Sequence, residues 1–201
     1  MAFVIGVDEA GLGCIAGPMA VTAFAAPAGL RIGARVDDSK RLTAEQRTQA
    51  AEELRNNRLV YHVTRVVSAA VIDMRGVRQA WEATLREATL ALIQKVTERG
   101  CITAIYFDGN WCPSIPGHNV SAVIGGDASI YQIAAASILA KTSRDAAMLA
   151  QARHYPEYGF ADHKGYGTLK HVAALKKHGA IPGVHRFSYA PVKAVRMREP
   201  R

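Results

Sequence analysis

The stretch Phe3-Val4-Ile5-Gly6-Val7-Asp8-Glu9-Ala10-Gly11-Leu12-Gly13 governs how the rest of the chain is read. Phe3–Val7 is a short apolar run with β-branched side chains, the pattern of a buried strand. Two carboxylates and a glycine-rich turn follow at once. A second run of this kind, Thr103–Phe107, also leads into an acid, Asp108, followed by Gly109 and Asn110. Acidic groups at strand ends converge when the strands are neighbours, and open α/β sheets place ligand sites at such ends. Adjacent strand residues face opposite ways, so Asp8 and Glu9 share a site only if the strand stops or bends there, which Gly11 and Gly13 make plausible.

Working outward, Met19–Ala26 reads as a strand stopped by Pro27-Ala28-Gly29, and Leu59–Val67 and Val120–Ile124 as two more. Thr43-Ala44-Glu45-Gln46 fits a capping box opening a helix to about Arg55. Val77, Ala80, Trp81, Thr84, Leu85, Ala88 and Leu92 recur at helical spacing and predict a helix over 77–98. Ala128–Gln151 reads as a long helix, and Leu169–His178 as a shorter one closed by Gly179 in a left-handed conformation. Trp111–Asn119, with two prolines and a glycine, is a loop. Strands come first and then alternate with helices, which suggests one α/β domain with a mixed sheet.

The 201 residues include 25 Lys and Arg against 17 Asp and Glu, a net charge of +8, with 49% hydrophobic and 21% charged residues. Those values are ordinary for a globular chain and argue against disorder. No run of ~18 apolar residues suggests a transmembrane helix, and no basic segment precedes the first apolar run as in a signal peptide. Cys14, Cys101 and Cys112 form no CxxC pair, so a cytoplasmic location is expected rather than a disulfide scaffold or a zinc site. The charge is uneven: residues 1–140 carry 13 basic and 13 acidic side chains, residues 141–201 carry 12 and 4. Such a local excess fits a polyanion such as nucleic acid, or a solvated basic surface.

Asp8, Glu9, Asp108 and Asp127 are the candidate catalytic residues. Four carboxylates in one place repel each other and need a cation, and an all-oxygen set suits Mg²⁺ or Mn²⁺. Two such ions ~3.5–4 Å apart can activate a water and stabilise the leaving oxygen in phosphodiester hydrolysis. The competing reading makes each acid a cap or turn residue, above all Asp127 at a helix start. Asp145 stands apart: on one helix with Asp127 it lies ~27 Å away, so it pairs with a basic neighbour such as Arg144 or Arg153. Gly11 to Gly17 is not a dinucleotide fingerprint, because its third glycine is one place late and a strand follows. In His163-Lys164-Gly165-Tyr166-Gly167-Thr168, a Tyr between glycines can stack on a base or sugar while Lys and Thr meet phosphates; the alternative is a surface loop with a packed Tyr. His185-Arg186 reads as part of a basic loop.

Taken together these stretches resemble type II ribonuclease H, the ribonuclease HII family. The resemblance rests on Gly6 to Gly11 with Gly17-Pro18, Asp38-Ser39-Lys40-Arg41-Leu42, Asp108-Gly109-Asn110, and Asp127 with Ile133 to Lys141. It continues through Tyr155 to Phe160, His163 to Thr168, and His185-Arg186 with Pro191-Val192. It implies an α/β ribonuclease H-like fold: a mixed five-stranded sheet flanked by helices, with a C-terminal helical region. The expected organisation is a single catalytic domain over 1–192, helical and basic from about 141, and a basic tail over 193–201. The implied activity is metal-dependent endonucleolytic cleavage of the RNA strand of RNA–DNA hybrids, leaving 5′-phosphates, in DNA replication and repair. Asp8, Glu9, Asp108 and Asp127 match the family's metal ligands, a two-metal Mg²⁺ or Mn²⁺ site. Gly11, Leu12 and Gly13 match the backbone that meets the ribose 2′-hydroxyl. Tyr166 matches the Tyr that stacks on the sugar beside the scissile phosphate, and Lys40 a basic residue near the phosphates. Lys164 and Arg186 belong to the basic region that would hold the duplex. The family usually has Gly-Arg-Gly where this chain has Gly11-Leu12-Gly13, so weak cutting at a single embedded ribonucleotide is expected. A Lys usual two places before Asp127 is replaced by Gly125. The alternative is a hybrid-binding protein with reduced or lost catalysis. The implied partner is the hybrid duplex, bound by a monomer away from membranes, and no clear clamp-binding peptide is present.

Overall fold

The computed structural model describes residues 1–32, 36 and 42–195. Five strands form one mixed sheet, in the order β3-β2-β1-β4-β5. They are β1 (Ala2–Ala10), β2 (Met19–Pro27), β3 (Tyr61–Val67), β4 (Cys101–Asp108) and β5 (Val120–Val123). β1 pairs with β4 in parallel, with Val7 opposite Phe107, and β4 pairs with β5 in parallel, with Asp108 opposite Val123. The described helices are α1 (Ala44–Asn56), α2 (Ala69–Arg75), α3 (Val77–Thr97), α4 (Tyr131–His154), α5 (Phe160–His163), α6 (Leu169–His178) and α7 (Ala190–Lys193). None of them is long and apolar enough to cross a membrane.

The chain forms two compact units. The first comprises Met1–Ala10, Val21–Arg65 and Glu82–Thr142. It holds most of the sheet, and its core packs Phe24, Leu54, Ala135, Ile138 and Leu139 together. The expected capping box is present: the Thr43 hydroxyl accepts from the Gln46 amide, and the Gln46 side chain accepts from the Thr43 amide. α4 lies directly on β1, and any side chain at Gly6 would overlap the backbone of Gln132 and Ile133. That close approach brings Ser137 of α4 onto Asp8 of β1.

The second unit comprises Gly11–Ala20, Val66–Trp81 and Ser143–Arg201. It is held by small apolar clusters rather than by a sheet. Met148, Tyr158, Phe160 and Ile181 form one, Ile15, Leu175, Ala180 and Val192 another, and Met19, Ile72 and Ala80 a third on which Leu12 packs. α2 was not expected from the sequence; Ser68 caps it by accepting from the Val71 amide. Gly179 ends α6 with a positive φ of 81°, but its ψ of 172° is not that of a left-handed helical cap.

Candidate active site

Asp8 and Asp108 lie at corresponding ends of adjacent parallel strands, each directly after the paired residues Val7 and Phe107. β1 does not stop at Asp8; it runs through Glu9 to Ala10. Strand alternation then separates the acidic pair, leaving Asp8 buried at 6% exposure and Glu9 half-buried. Asp8 Oδ1 accepts the Glu9 amide at 2.7 Å. Burial first, then the negative charge of Glu9, pushes the Asp8 carboxyl well above the usual range; Asp108 adds to the rise, and the bonds from Ser137 and the Glu9 amide oppose it.

Asp127 does not cap α4. It sits in a 3₁₀ turn, Gly126–Ala128, before the helix begins at Tyr131, and it is buried at 4% exposure. Its amide donates to Asp108 Oδ1 at 3.4 Å. The side chains of Asp8 and Glu9 leave opposite faces of β1, yet the charges of Glu9 and Asp108 both act on Asp8, and the Asp127 amide joins Asp108 to Asp127. Among the described residues, no three acidic, histidine or cysteine side chains already close into a metal cage. Like charges without a counter-ion resist closing. The donor set is all oxygen, and a buried carboxylate pressed by two acidic neighbours is relieved by a hard divalent cation, so these residues fit Mg²⁺ or Mn²⁺. Asp145 is on α4 with its carboxylate 3.8 Å from Arg144 Nη1, one of the two basic neighbours expected for it.

The second unit gathers the other expected residues around two buried guanidinium groups. Arg186 was expected to meet the duplex directly, but it is fully buried. Its Nε donates to the Gly17 carbonyl at 3.0 Å, and its Nη1 to the Leu12 carbonyl at 2.9 Å and the Tyr189 hydroxyl at 3.0 Å. The Tyr189 hydroxyl also donates to the Leu12 carbonyl at 2.6 Å. His185, expected in the same basic loop, is fully buried too. Arg144, also fully buried, donates from Nε to Pro18 and from Nη2 to Lys164, at 3.2 and 2.6 Å. Gly11 has φ +91°, and a side chain there would overlap the Arg144 guanidinium, so only glycine fits.

Tyr166 is 44% exposed, with the Arg144 guanidinium carbon 5.4 Å from its ring centre. Burial of the hydroxyl, with the Cys14 thiol beside it, pushes Tyr166 up, so it stays protonated at neutral pH. Lys164 has a left-handed φ of 48°, and its ammonium folds back onto the Ala161 carbonyl. Lys40 lies outside the described residues. Sequence reasoning missed the structural weight of Arg144, His171 and Ser137. Each is an unremarkable residue on a helix, and only the fold shows which loop or carboxylate it reaches.

Residues 5–192 match the sequence profile of ribonuclease HII. Ribonuclease HII of Chlorobium phaeovibrioides is 40% identical over 192 residues, covering 92% of this chain and 89% of that protein. The crystal structure of ribonuclease H2 from Pyrococcus horikoshii superposes with a TM-score of 0.76 at 24% identity, covering 96% of each chain. The structure of the PCNA–RNase HII complex from Archaeoglobus fulgidus gives 0.70 at 25% identity, covering 98% of this chain and 97% of that one. With the sheet order and its acidic strand ends already in place, a match along nearly the whole length makes this chain a member of the ribonuclease HII family.

Proposed function

We propose that Asp8, Glu9, Asp108 and Asp127 carry the family's reaction in this chain, the metal-dependent endonucleolytic hydrolysis of the RNA strand of RNA–DNA hybrids. One observation carries the assignment: a buried carboxylate, Asp8, is held at the end of β1 beside the acidic end of the parallel strand β4, at a cost that a bound cation offsets while the carboxylate stays charged. A pair of Mg²⁺ or Mn²⁺ ions, when bound, supplies the activation of water and the stabilisation of the departing 3′ oxygen. The protein's part is to fix the donors. Ser137 and the Glu9 amide hold Asp8 in one orientation, and the Asp127 amide holds Asp108. The retention of all four acids argues against a protein that only binds hybrids.

In the second unit, Gly11 to Gly13 present their backbone to the ribose 2′-hydroxyl, the group that distinguishes RNA from DNA. The Gly11 carbonyl accepts the Cys14 amide at 3.3 Å and the Leu12 carbonyl is taken by Arg186 and Tyr189, so the amide side of this turn is what remains for substrate. Tyr166 supplies a ring that stacks on sugar, over a cation that steadies it. Lys164 reaches a phosphate by leaving the Ala161 carbonyl. Arg186 acts by holding Leu12 rather than by touching substrate. The chain acts as a monomer on the hybrid, and lacks the Arg that would serve a single embedded ribonucleotide. The test is cleavage of a labelled hybrid duplex with Mg²⁺ or Mn²⁺. Asp8→Asn is expected to lower kcat by about 100-fold or more, the scale of losing a directly acting group. Wild-type turnover by that variant rules the assignment out.

A further inference from the structure

The three successive carbonyls of Lys164, Gly165 and Tyr166 are each held by different partners. That of Lys164 accepts from Arg144 Nη2 at 2.6 Å. That of Gly165 accepts from the Ile15 and Ala16 amides at 3.1 and 3.2 Å, and that of Tyr166 accepts from the Thr168 amide at 2.8 Å. His171 Nδ1 makes a second bond to the Tyr166 carbonyl, also at 2.8 Å. Behind it stands His185, with the two Nε2 atoms 3.2 Å apart and both side chains fully buried.

The protons in this chain of bonds follow from its two ends. The Ile181 amide donates to His185 Nδ1 at 2.9 Å, so that nitrogen is bare. A neutral His185 then carries its proton on Nε2 and donates it to His171 Nε2. His171 carries its own proton on Nδ1 and donates to the Tyr166 carbonyl, which can only accept. Every link has one donor and one acceptor, and no other neutral arrangement satisfies both ends. His163, stacked on His171 at 4.3 Å, is fixed separately: the Gly165 amide donates to its Nδ1 at 3.2 Å, and its Nε2 donates to the Tyr158 carbonyl at 2.8 Å. Burial keeps the pair neutral, pushing His171 down to about 4 and His185 to about 3. The ionisable groups facing them are His163, against His171, and Tyr158, whose ring lies 5.1 Å from His185.

We infer that His171 and His185 are positioning residues for Tyr166: the directed relay from the Ile181 amide through both imidazoles to the Tyr166 carbonyl sets how the ring meets substrate. The inference rests on the reading of Tyr166 as a substrate contact. A proton on the wrong nitrogen would leave a buried donor facing a donor, so the relay has one state and no slack.

Two measurements test it on the full chain. Ring ¹⁵N spectra of histidine-labelled protein at pH 7 are expected to show His171 protonated on Nδ1 and bare on Nε2, and His185 the reverse. A His171 that is charged, or protonated on Nε2, overturns the relay, whatever the variants do. In cleavage of a hybrid duplex, His171→Ala is expected to lower kcat/KM about tenfold, a loss on the scale of coupled neighbours. His171→Asn, whose amide nitrogen takes the place of Nδ1, recovers most of that loss, and His171→Gln, whose amide reaches only the Nε2 place, does not. In a Tyr166→Ala background, His171→Ala adds nothing further. If Tyr166→Ala lowers cleavage and the two losses simply multiply, the relay is wrong and the Tyr166 reading stands. If Tyr166→Ala cuts at the wild-type rate, the Tyr166 reading itself falls, and the relay's function with it.

Discussion

Leu12 is fixed from two sides. Its carbonyl is gripped by Arg186 and Tyr189, and its side chain packs on Met19, Ile72 and Ala80. The backbone of the Gly11-Leu12-Gly13 turn is thus shaped by bonds that do not depend on the side chain at position 12. An Arg there keeps the turn, lays its aliphatic stem along the same apolar cluster and extends its charge to solvent. Leu12→Arg is therefore expected to cost little stability and to raise cleavage at a single embedded ribonucleotide relative to a continuous hybrid by about tenfold, the worth of one charge-assisted hydrogen bond to phosphate. Both duplexes cut side by side give the ratio, and an unchanged ratio removes Leu12 from the explanation. Arg186 carries the complementary lesson. Read by charge, it belonged to a surface that holds nucleic acid; in the fold its guanidinium is sealed under the turn, where burial pushes it down from its ordinary range.

Among the elements, α2 carries a role its short length conceals. Its Asp73 accepts from the Phe187 amide at 2.7 Å, and from the Ser188 amide and hydroxyl at 2.8 and 2.5 Å. That carboxylate ties down the turn directly after Arg186. Asp73→Ala is expected to destabilise the protein by about 1 kcal/mol, since it removes three bonds but leaves only the part-buried Phe187 amide short of a partner, the Ser188 donors being exposed to water. A urea midpoint unchanged from wild type would show that water replaces the carboxylate without cost. α2 was invisible in the sequence because seven residues give too little periodicity to separate a helix from a loop. The strands and long helices were legible because burial imposes a pattern on them: β2 was expected at Met19–Ala26 and runs Met19–Pro27, and α6 was expected and found at Leu169–His178. The capping box at Thr43 was legible because its chemistry is local. The acids of the candidate site could be read from their places at strand ends. The partners that orient them could not, because Ser137 reaches Asp8 only through the packing of α4 on β1.

At the scale of the whole chain, charge is divided: the first 140 residues are neutral and contain the four acids, and the last 61 carry the entire +8. Binding to a duplex through that basic excess weakens with salt, because each neutralised phosphate releases counter-ions. The same chain holds buried groups whose titration opposes folding in acid. His171 and His185 are neutral when folded, pushed from the ordinary 6.5 to about 4 and about 3. Above pH ~7.5 both are neutral in either state, and their contribution to stability is fully present. Below it the unfolded chain takes up protons that the folded chain refuses, so stability falls with falling pH until the folded pKa values are reached. Each histidine accounts for about 1.4 kcal/mol per pH unit in that window, so the pair gives about 3 kcal/mol per unit between pH ~5.5 and ~4.5. His62, also lowered by burial, steepens the fall at its start. Asp8 works the other way: its carboxyl is raised when folded, so protonation in acid relieves the repulsion at its site and offsets part of the loss. The metal-free protein should therefore lose stability in urea titrations as pH falls from 6.5 to 4.5, more steeply below 5.5 than above it. Stability that stays level across that range in Asp8→Asn, where the opposing titration of Asp8 is gone, would mean that the two imidazoles are not held neutral, and would withdraw the physical ground for a relay with a single proton arrangement.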